Sequence, residues 1–356
     1  MKIDFVVNNL GAGGGERVLT IIANELALKG YDITIVTLKN KDEIEDAFPL
    51  NEKVQRIKLT KKRSRIYSIT NLINLFSFYR QKNNRPKVII GFMTETGLLT
   101  TIIGRLFNIK SVVSEHTNHL NVQGHDGFIR KYVYPFANQV VVLTDFDKDY
   151  YLKHRSKALT IPNPSSFEIK KYPAKRKKVI LALGNLNKYH VKGFDNLIRA
   201  VGPVLSEQTE WQLHIYGAID NKSLEILSSL TVNHGVEEKV VFKGFCTNVA
   251  DVMSKSEIFV LSSRREGLPM VLIEAMSQGM ACVAFDCITG PAEIIEHNIN
   301  GLLVEDQNIE KLSESIDYLI HDSDLREKLQ KVAPSSIDKF GKEAVIDQWE
   351  RMFNLI

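Results

Sequence analysis

The chain reads as an α/β protein of two Rossmann-like, doubly wound parallel-sheet domains. Three observations predict this. Short β-branched runs alternate with helical stretches almost throughout. A length of 356 residues exceeds one ordinary domain and suits two. Residues 163–177 gather prolines, serines and lysines, a composition that suits a linker. The expected domains are therefore 1–165 and 166–340, followed by a last helical segment at 341–356.

In the first half, strands are expected at 2–8, 32–38, 87–92, 110–114, 139–144 and 158–162. Helices are expected near 16–29, 66–82, 96–107, 127–137 and 145–153, with Gly30 as a stop for the first. The second half repeats the pattern, with strands at 178–184, 211–217, 239–243, 257–262, 281–285 and 302–304. Its helices are expected near 194–207, 222–233, 247–255, 269–279, 291–297 and 308–320. Residues 323–355 read as helical, with Phe340, Trp349 and Phe353 as buried anchors. Two such domains are expected to enclose a cleft between their facing strand ends.

Apolar residues at 44% and charged residues at 25% describe an ordinary globular protein with ample core material. Cys246, Cys282 and Cys287 form no Cys-x-x-Cys pair, which argues against a disulfide framework or zinc site and fits a reducing cytoplasm. The N-terminal apolar run is short for a signal peptide and is interrupted by Asp4. The best candidate for a membrane span, 88–107, contains Glu95 and Arg105. A net charge of +4 hides an asymmetry: residues 1–165 carry 24 Lys/Arg against 15 Asp/Glu. The remainder carries 22 against 27, so one half suits an anionic partner.

The most informative stretch runs from Ser262 through Glu266-Gly267-Leu268-Pro269-Met270 to Glu274-Ala275-Met276. It follows a short buried strand, and Pro269 suits the first turn of a helix. The free amides after Gly267 then point beyond the carboxyl end of a strand, where α/β sheets bind ligands and helix starts favour phosphate. One acid before the turn and one inside the helix can grip hydroxyls of a single ligand. Phosphates between two hydroxyl-rich ends describe a nucleotide-sugar.

This Glu-x7-Glu pattern resembles the signature of retaining glycosyltransferases of family four, of the bacterial polysaccharide and glycan type, which have the GT-B fold. The resemblance implies that the last helix crosses back onto the first domain. It further implies hexosyl or N-acetylhexosaminyl transfer, from a UDP-sugar to a saccharide or lipid-linked acceptor. Neither a metal nor another cofactor is expected. Glu266 is implied to hold sugar hydroxyls and Glu274 the ribose hydroxyls, with Gly267, Leu268, Pro269 and Met270 at the donor.

Asn9 to Arg17, with Gly11, Gly13, Gly14 and Gly15, joins the first strand to the first helix. Glycines let the backbone approach a ligand, and the helix start offers its dipole. Glu16 stands where a dinucleotide site needs its third glycine, and Thr37-Leu38-Lys39 lacks the ribose-binding acid. Gly-Gly-x-Glu-Arg is instead similar to the family's loop facing donor phosphates and acceptor, which implicates Gly13, Gly14, Gly15 and Glu16. Lys192-Gly193 matches the family's phosphate-holding pair, but Asn185 stands where the family has arginine, and adds no charge. Lys188 or Arg264 is then a candidate second cation. His116 matches the histidine near the sugar's C6 hydroxyl, and Phe245 the neighbour of the base. For Phe245 a place in the core is the simpler expectation. Thr289-Gly290-Pro291 resembles a family turn and receives no catalytic role.

Residues 53–87 carry 11 Lys/Arg and no acid. Ile66, Ile69, Leu72, Ile73, Phe76 and Tyr79 mark an apolar helical face between the charge clusters. No nucleic-acid motif accompanies them. Lys61, Lys62, Arg63 and Arg65 fit an anionic membrane surface, for a cytoplasmic protein peripheral to the inner face; an ordinary helix packed on the sheet is the other reading. Alternatives for the whole chain are a nucleotide-sugar epimerase, a pyridine-dinucleotide oxidoreductase and a non-catalytic protein that binds sugar nucleotides.

Overall fold

A computed structural model describes residues 1–11, 13–38, 46–59, 67–121, 124–169 and 175–356. Lys61, Lys62, Arg63 and Arg65 lie outside the described residues, as does part of the expected linker. The chain divides into two compact units, Met1–Pro164 with Lys342–Ile356, and Ser165–Gly341. Each is built on one parallel sheet.

The first sheet contains β1 (Lys2–Val7), β2 (Asp32–Thr37), β3 (Val54–Lys58), β4 (Val88–Phe92), β5 (Lys110–Ser114), β6 (Gln139–Val142) and β7 (Ala158–Thr160). Their order is β3-β2-β1-β4-β5-β6-β7, so the winding reverses between β1 and β4. Isoleucine, valine and phenylalanine fill β1 and β4 because both faces of a central parallel strand are covered. Helix α1 (Gly14–Leu28) follows β1. Helices α2 (Tyr67–Arg80) and α3 (Thr94–Phe107) precede and follow β4, and Leu75, Tyr79, Leu99 and Ile103 pack with Val6, Val36 and Ile89.

The second sheet contains β8 (Lys177–Leu183), β9 (Gln212–Tyr216), β10 (Val240–Gly244), β11 (Ser256–Leu261), β12 (Ala281–Phe285) and β13 (Leu302–Val304). Its order is β10-β9-β8-β11-β12-β13, and the reversal falls between β8 and β11. Helices Phe194–Glu207 and Ile309–His321 supply Leu197, Val201, Leu312 and Ile316 to its core.

The terminal helix Lys342–Leu355 belongs to the first unit. Trp349 and Phe353 are buried, and Lys29 at the end of α1 pairs with Asp347 at 2.7 Å and Glu350 at 2.6 Å. The Tyr31 hydroxyl donates to Glu350 at 3.0 Å. Phe340, also buried, lies in the second unit instead.

Three expectations need correction. β3 was hidden within the basic run because Val54-Gln55-Arg56-Ile57-Lys58 is an edge strand, free to carry charge on its open side. The helix expected at 127–137 is a succession of short turns over 125–128, 129–133 and 134–136. Pro135 removes an amide there and prevents a regular continuation. Residues 323–355 form two helices, Ser323–Ser336 and Lys342–Leu355, separated around Gly341.

One buried charge in the first core stands out. Asp4 on β1 is fully buried and accepts from the Tyr79 hydroxyl at 2.9 Å, while its Oδ1 has no hydrogen-bond partner. Burial pushes its carboxyl up to about 7, against the lowering effect of Tyr79. The unfolded chain releases this proton near pH 4 while the folded protein keeps it to about pH 7. Stability therefore falls as pH rises across that window, by up to roughly 4 kcal/mol. Asp4→Asn stays neutral throughout. Calorimetry should show the wild type losing melting temperature relative to this variant between about pH 5 and pH 8; a constant gap would mean that the carboxyl titrates normally.

Candidate functional site

In the second unit the chemistry-bearing residues gather where the sheet reverses direction. Loops leaving adjacent strands β8 and β11 turn to opposite faces there, and the space between them is the usual ligand crevice of an open α/β sheet. Gly184 to Gly193 follows β8, and Ser262 to Pro269 follows β11.

Gly193 makes the approach of these loops possible. It adopts φ +67°, and a β-carbon there would lie 1.7 Å from the Ser262 carbonyl oxygen. The Ser262 hydroxyl donates to the Lys192 carbonyl at 3.2 Å, and the Arg264 amide donates to the Val191 carbonyl at 2.9 Å. With the backbones locked, Lys192 Nζ reaches Glu266 Oε1 at 2.7 Å. The Ser263 hydroxyl donates to the same carboxylate oxygen at 2.6 Å. The cation expected at the diphosphate and the carboxylate expected at the sugar thus touch each other. Both remain partly accessible, Lys192 more than Glu266.

Arg264 is not available as the second phosphate cation. Its guanidinium grips Asp195 with two bonds of 2.7 and 2.9 Å, meets Asn196 Oδ1 at 2.8 Å, and also donates to the His190 carbonyl. Burial acts to raise the Asp195 carboxyl, but the bonds and charge of Arg264 outweigh it and hold it below its ordinary range. This fork-shaped clamp ties the β11 loop to the helix after β8. Lys188, the other candidate, is exposed. The Asn185 side-chain oxygen accepts from the Asn187 amide at 3.0 Å and shapes the turn, which explains a residue with no charge to offer.

Pro269 occupies the capping position and the helix begins at Met270, one residue later than expected. The amides of the first turn have no acceptor within the helix, so Met270 and the residue after it present donors at the strand end. Glu274 lies on the second turn and is only 5% exposed. Leu268 is buried, while Gly267 stays partly open. The Thr289 hydroxyl donates to the Gly267 carbonyl at 3.1 Å, and Gly290 at φ +100° packs where a β-carbon would be 2.5 Å from that oxygen. The Thr289-Gly290-Pro291 turn therefore braces the Glu266-Gly267 loop. Phe245, after β10, is 75% exposed rather than in the core, leaving a ring face free for stacking.

The first unit repeats the arrangement at its own reversal point, between β1 and β4. Gly13 caps α1, and Glu16 folds back so far that its carboxylate occupies the space of a Gly13 β-carbon. Gly15 leaves room for Met93, which follows β4, whereas Gly14 faces open space. The Asn8 amide donates to Glu95 across the same point at 2.9 Å.

His116 follows β5. Its ring stacks on Phe92 at 4.2 Å between centroids, and Nε2 bonds the Ser114 hydroxyl at 3.0 Å. Burial pulls its pKa down to about 3, only partly countered by Asn163. A neutral imidazole can orient a hydroxyl, but it holds no proton to give at neutral pH.

Reading the sequence missed the buried ion pair next to this histidine in the chain. Glu115, beside it, is buried with Arg130 at 2.5 Å, accepts from Thr94 at 3.0 Å, and accepts from the Tyr134 hydroxyl. Burial raises the Glu115 carboxyl, and Arg130 opposes that shift. Arg130 and Tyr134 lie in the irregular turns after β5, so no helical or strand period marked them.

Among known proteins, residues 165–336 match the family described as Glycosyl transferases group 1, and residues 12–165 match Glycosyltransferase Family 4. An amylovoran biosynthesis glycosyltransferase of Erwinia amylovora, AmsD, is 29% identical, over 99% of this chain and 98% of its own length. A Campylobacter jejuni α-1,4-N-acetyl-D-galactosaminyltransferase, named for an undecaprenol-linked GalNAc acceptor, is 26% identical over 99% of this chain and 98% of its own. The HepE protein of Anabaena, solved with UDP, superposes with a TM-score of 0.82 at 16% identity, each chain covered in full, and shares the fold. Matched along two consecutive halves, the chain belongs to the glycosyltransferases of family four and has the GT-B fold.

Proposed function

We propose that this glycosyltransferase moves a hexosyl or N-acetylhexosaminyl group from a UDP-sugar to a saccharide or lipid-linked glycan, with retention at the anomeric carbon. The supporting observation is the Lys192–Glu266 contact at the reversal point of the second sheet, beside the amides that start the Met270 helix. The relatives named for amylovoran synthesis and for an undecaprenol-linked acceptor support a role in glycan assembly.

In the resting protein Glu266 holds Lys192. A donor diphosphate offers the ammonium more negative charge than one carboxylate and draws it away. Lys192 and the Met270-helix amides then face the leaving group where charge develops. Glu266, released, accepts from sugar hydroxyls near the anomeric carbon. Glu274 takes the ribose hydroxyls, Phe245 lies against the uracil, and neutral His116 orients a sugar hydroxyl. Gly13, Gly14 and Gly15 admit the acceptor and phosphates to the first domain.

The bond from the anomeric carbon to the phosphate oxygen breaks as the acceptor oxygen bonds to the same face. The leaving phosphate takes the acceptor's proton, so no side chain becomes a covalent nucleophile. Protein cations and helix amides supply the charge stabilisation, and the reaction proceeds without a metal.

The first test is thermal protection by a panel of UDP- and GDP-sugars, followed by turnover with and without a membrane-extract acceptor. Protection by UDP-sugars and acceptor-dependent release of UDP are expected; epimerisation of donor alone would reject transfer. Proton NMR of the product should show the donor's anomeric configuration. Lys192→Ala should lower kcat by about 10²- to 10³-fold with little change in melting temperature, and near-normal turnover would remove its phosphate role.

The Arg264–Asp195 clamp predicts non-additivity, because either substitution alone already releases the loop. Arg264→Gln and Asp195→Asn should each lower kcat by about tenfold, and the double variant should be no worse than the weaker single one. Multiplying effects would mean that the two residues act separately.

A further inference from the structure

We infer that the outer face of one helical layer in the first unit is a docking surface for an anionic lipid bilayer. The crossovers β3 to β4, β4 to β5 and β5 to β6 all step the same way along the sheet. Right-handed crossovers therefore place α2, α3 and the 125–136 turns side by side on one face, with α1 on the other.

The outward side of such a layer is ordinarily polar. Here it is not. Among the described side chains of α2, over 69–80, the exposed positions are Ile69, Ile73, Phe76, Ser77 and Arg80, so three of these five are large and apolar. Ile73 is 58% exposed, as are Leu106 at the end of α3 and Phe136, while Phe128 reaches 60%. Phe76 packs on Phe107 at 5.3 Å, and Phe128 on Tyr132 at 4.9 Å. The Arg105 side chain bonds the Phe136 carbonyl at 2.9 Å and lies over its ring, joining the end of α3 to the third segment. An exposed apolar surface of this extent marks an interaction site.

Charge identifies the occupant. Between Tyr67 and Lys87 stand Arg80, Lys82, Arg85 and Lys87 with no Asp or Glu. Arg85 lies over the Phe107 ring at 4.6 Å and Lys131 over Tyr132 at 5.2 Å, so cations flank the aromatic groups themselves. Asp126 is the acid among the exposed residues of the third segment. Aromatic and aliphatic groups bordered by Lys and Arg suit the headgroup boundary of an anionic bilayer, where rings enter and cations meet phosphates. A protein partner held by an apolar face alone would not need this excess of cations.

The binding measurement uses the full chain and no sugar substrate, so its outcome is separate from that of the transfer reading. Sedimentation with phosphatidylcholine vesicles containing about 30% phosphatidylglycerol is compared with phosphatidylcholine alone, for wild type and for Ile73→Asp with Phe128→Asp. Wild type should bind the anionic vesicles and release in high salt, and the double variant should bind at least tenfold less. Circular dichroism melting and donor turnover with a soluble acceptor should be unchanged in the variant. A second variant, Leu106→Asp with Phe136→Ser, should weaken binding likewise. No wild-type binding, equal binding to neutral vesicles, or unaffected variants would overturn the inference. So would a wild-type dimer that both variants convert to monomer, since a second copy would then cover the face.

Discussion

Gly193 and the Ser262 carbonyl approach so closely that a β-carbon would sit 1.7 Å from the oxygen, and the candidate donor site depends on that contact. It joins the loop after β8 to the loop after β11 at the one place in the second sheet where the winding reverses. Lys192 and Glu266 are neighbours because their backbones are held together there, and the Arg264 fork on Asp195 secures the same junction from the other side. Thr289 and Gly290 support the Glu266-Gly267 loop from β12. Three successive loops thus meet at one point, each held by bonds to the next. A site assembled this way is positioned before any ligand arrives.

Several candidate phosphate-binding positions at this junction are tied to partners of their own. Asn185 shapes its turn instead of carrying charge, and Arg264 is spent on Asp195. Lys192 is held by the Glu266 carboxylate. In the proposed reaction, holding a flexible lysine in place would limit the rotamer freedom it loses on meeting phosphate.

The first unit solves a different problem. His116 is stacked, bonded to Ser114 and kept neutral by burial, while the neighbouring Glu115–Arg130 pair is almost wholly removed from water. Taking such a pair out of water is costly unless other bonds support it; Thr94, Thr117 and Tyr134 do so, while Arg130 Nε is left without a partner.

Sequence alone determined the parallel α/β architecture, the approximate strands and helices, and the residue types of the donor motif. These are local properties: a period of two or 3.6, a glycine or proline at a turn, two acids a fixed distance apart in one segment. β3 escaped because an edge strand need not be apolar, and Arg130 and Tyr134 escaped because irregular turns carry no period. Phe245 shows the same limit, since its letters do not reveal whether its ring faces core or solvent. Only the tertiary structure decided that Lys192 meets Glu266 across 74 positions, and that Asp195 captures Arg264 across 69. Strand order governs which loops meet, and strand order is settled by packing of distant segments rather than by any pattern within one of them.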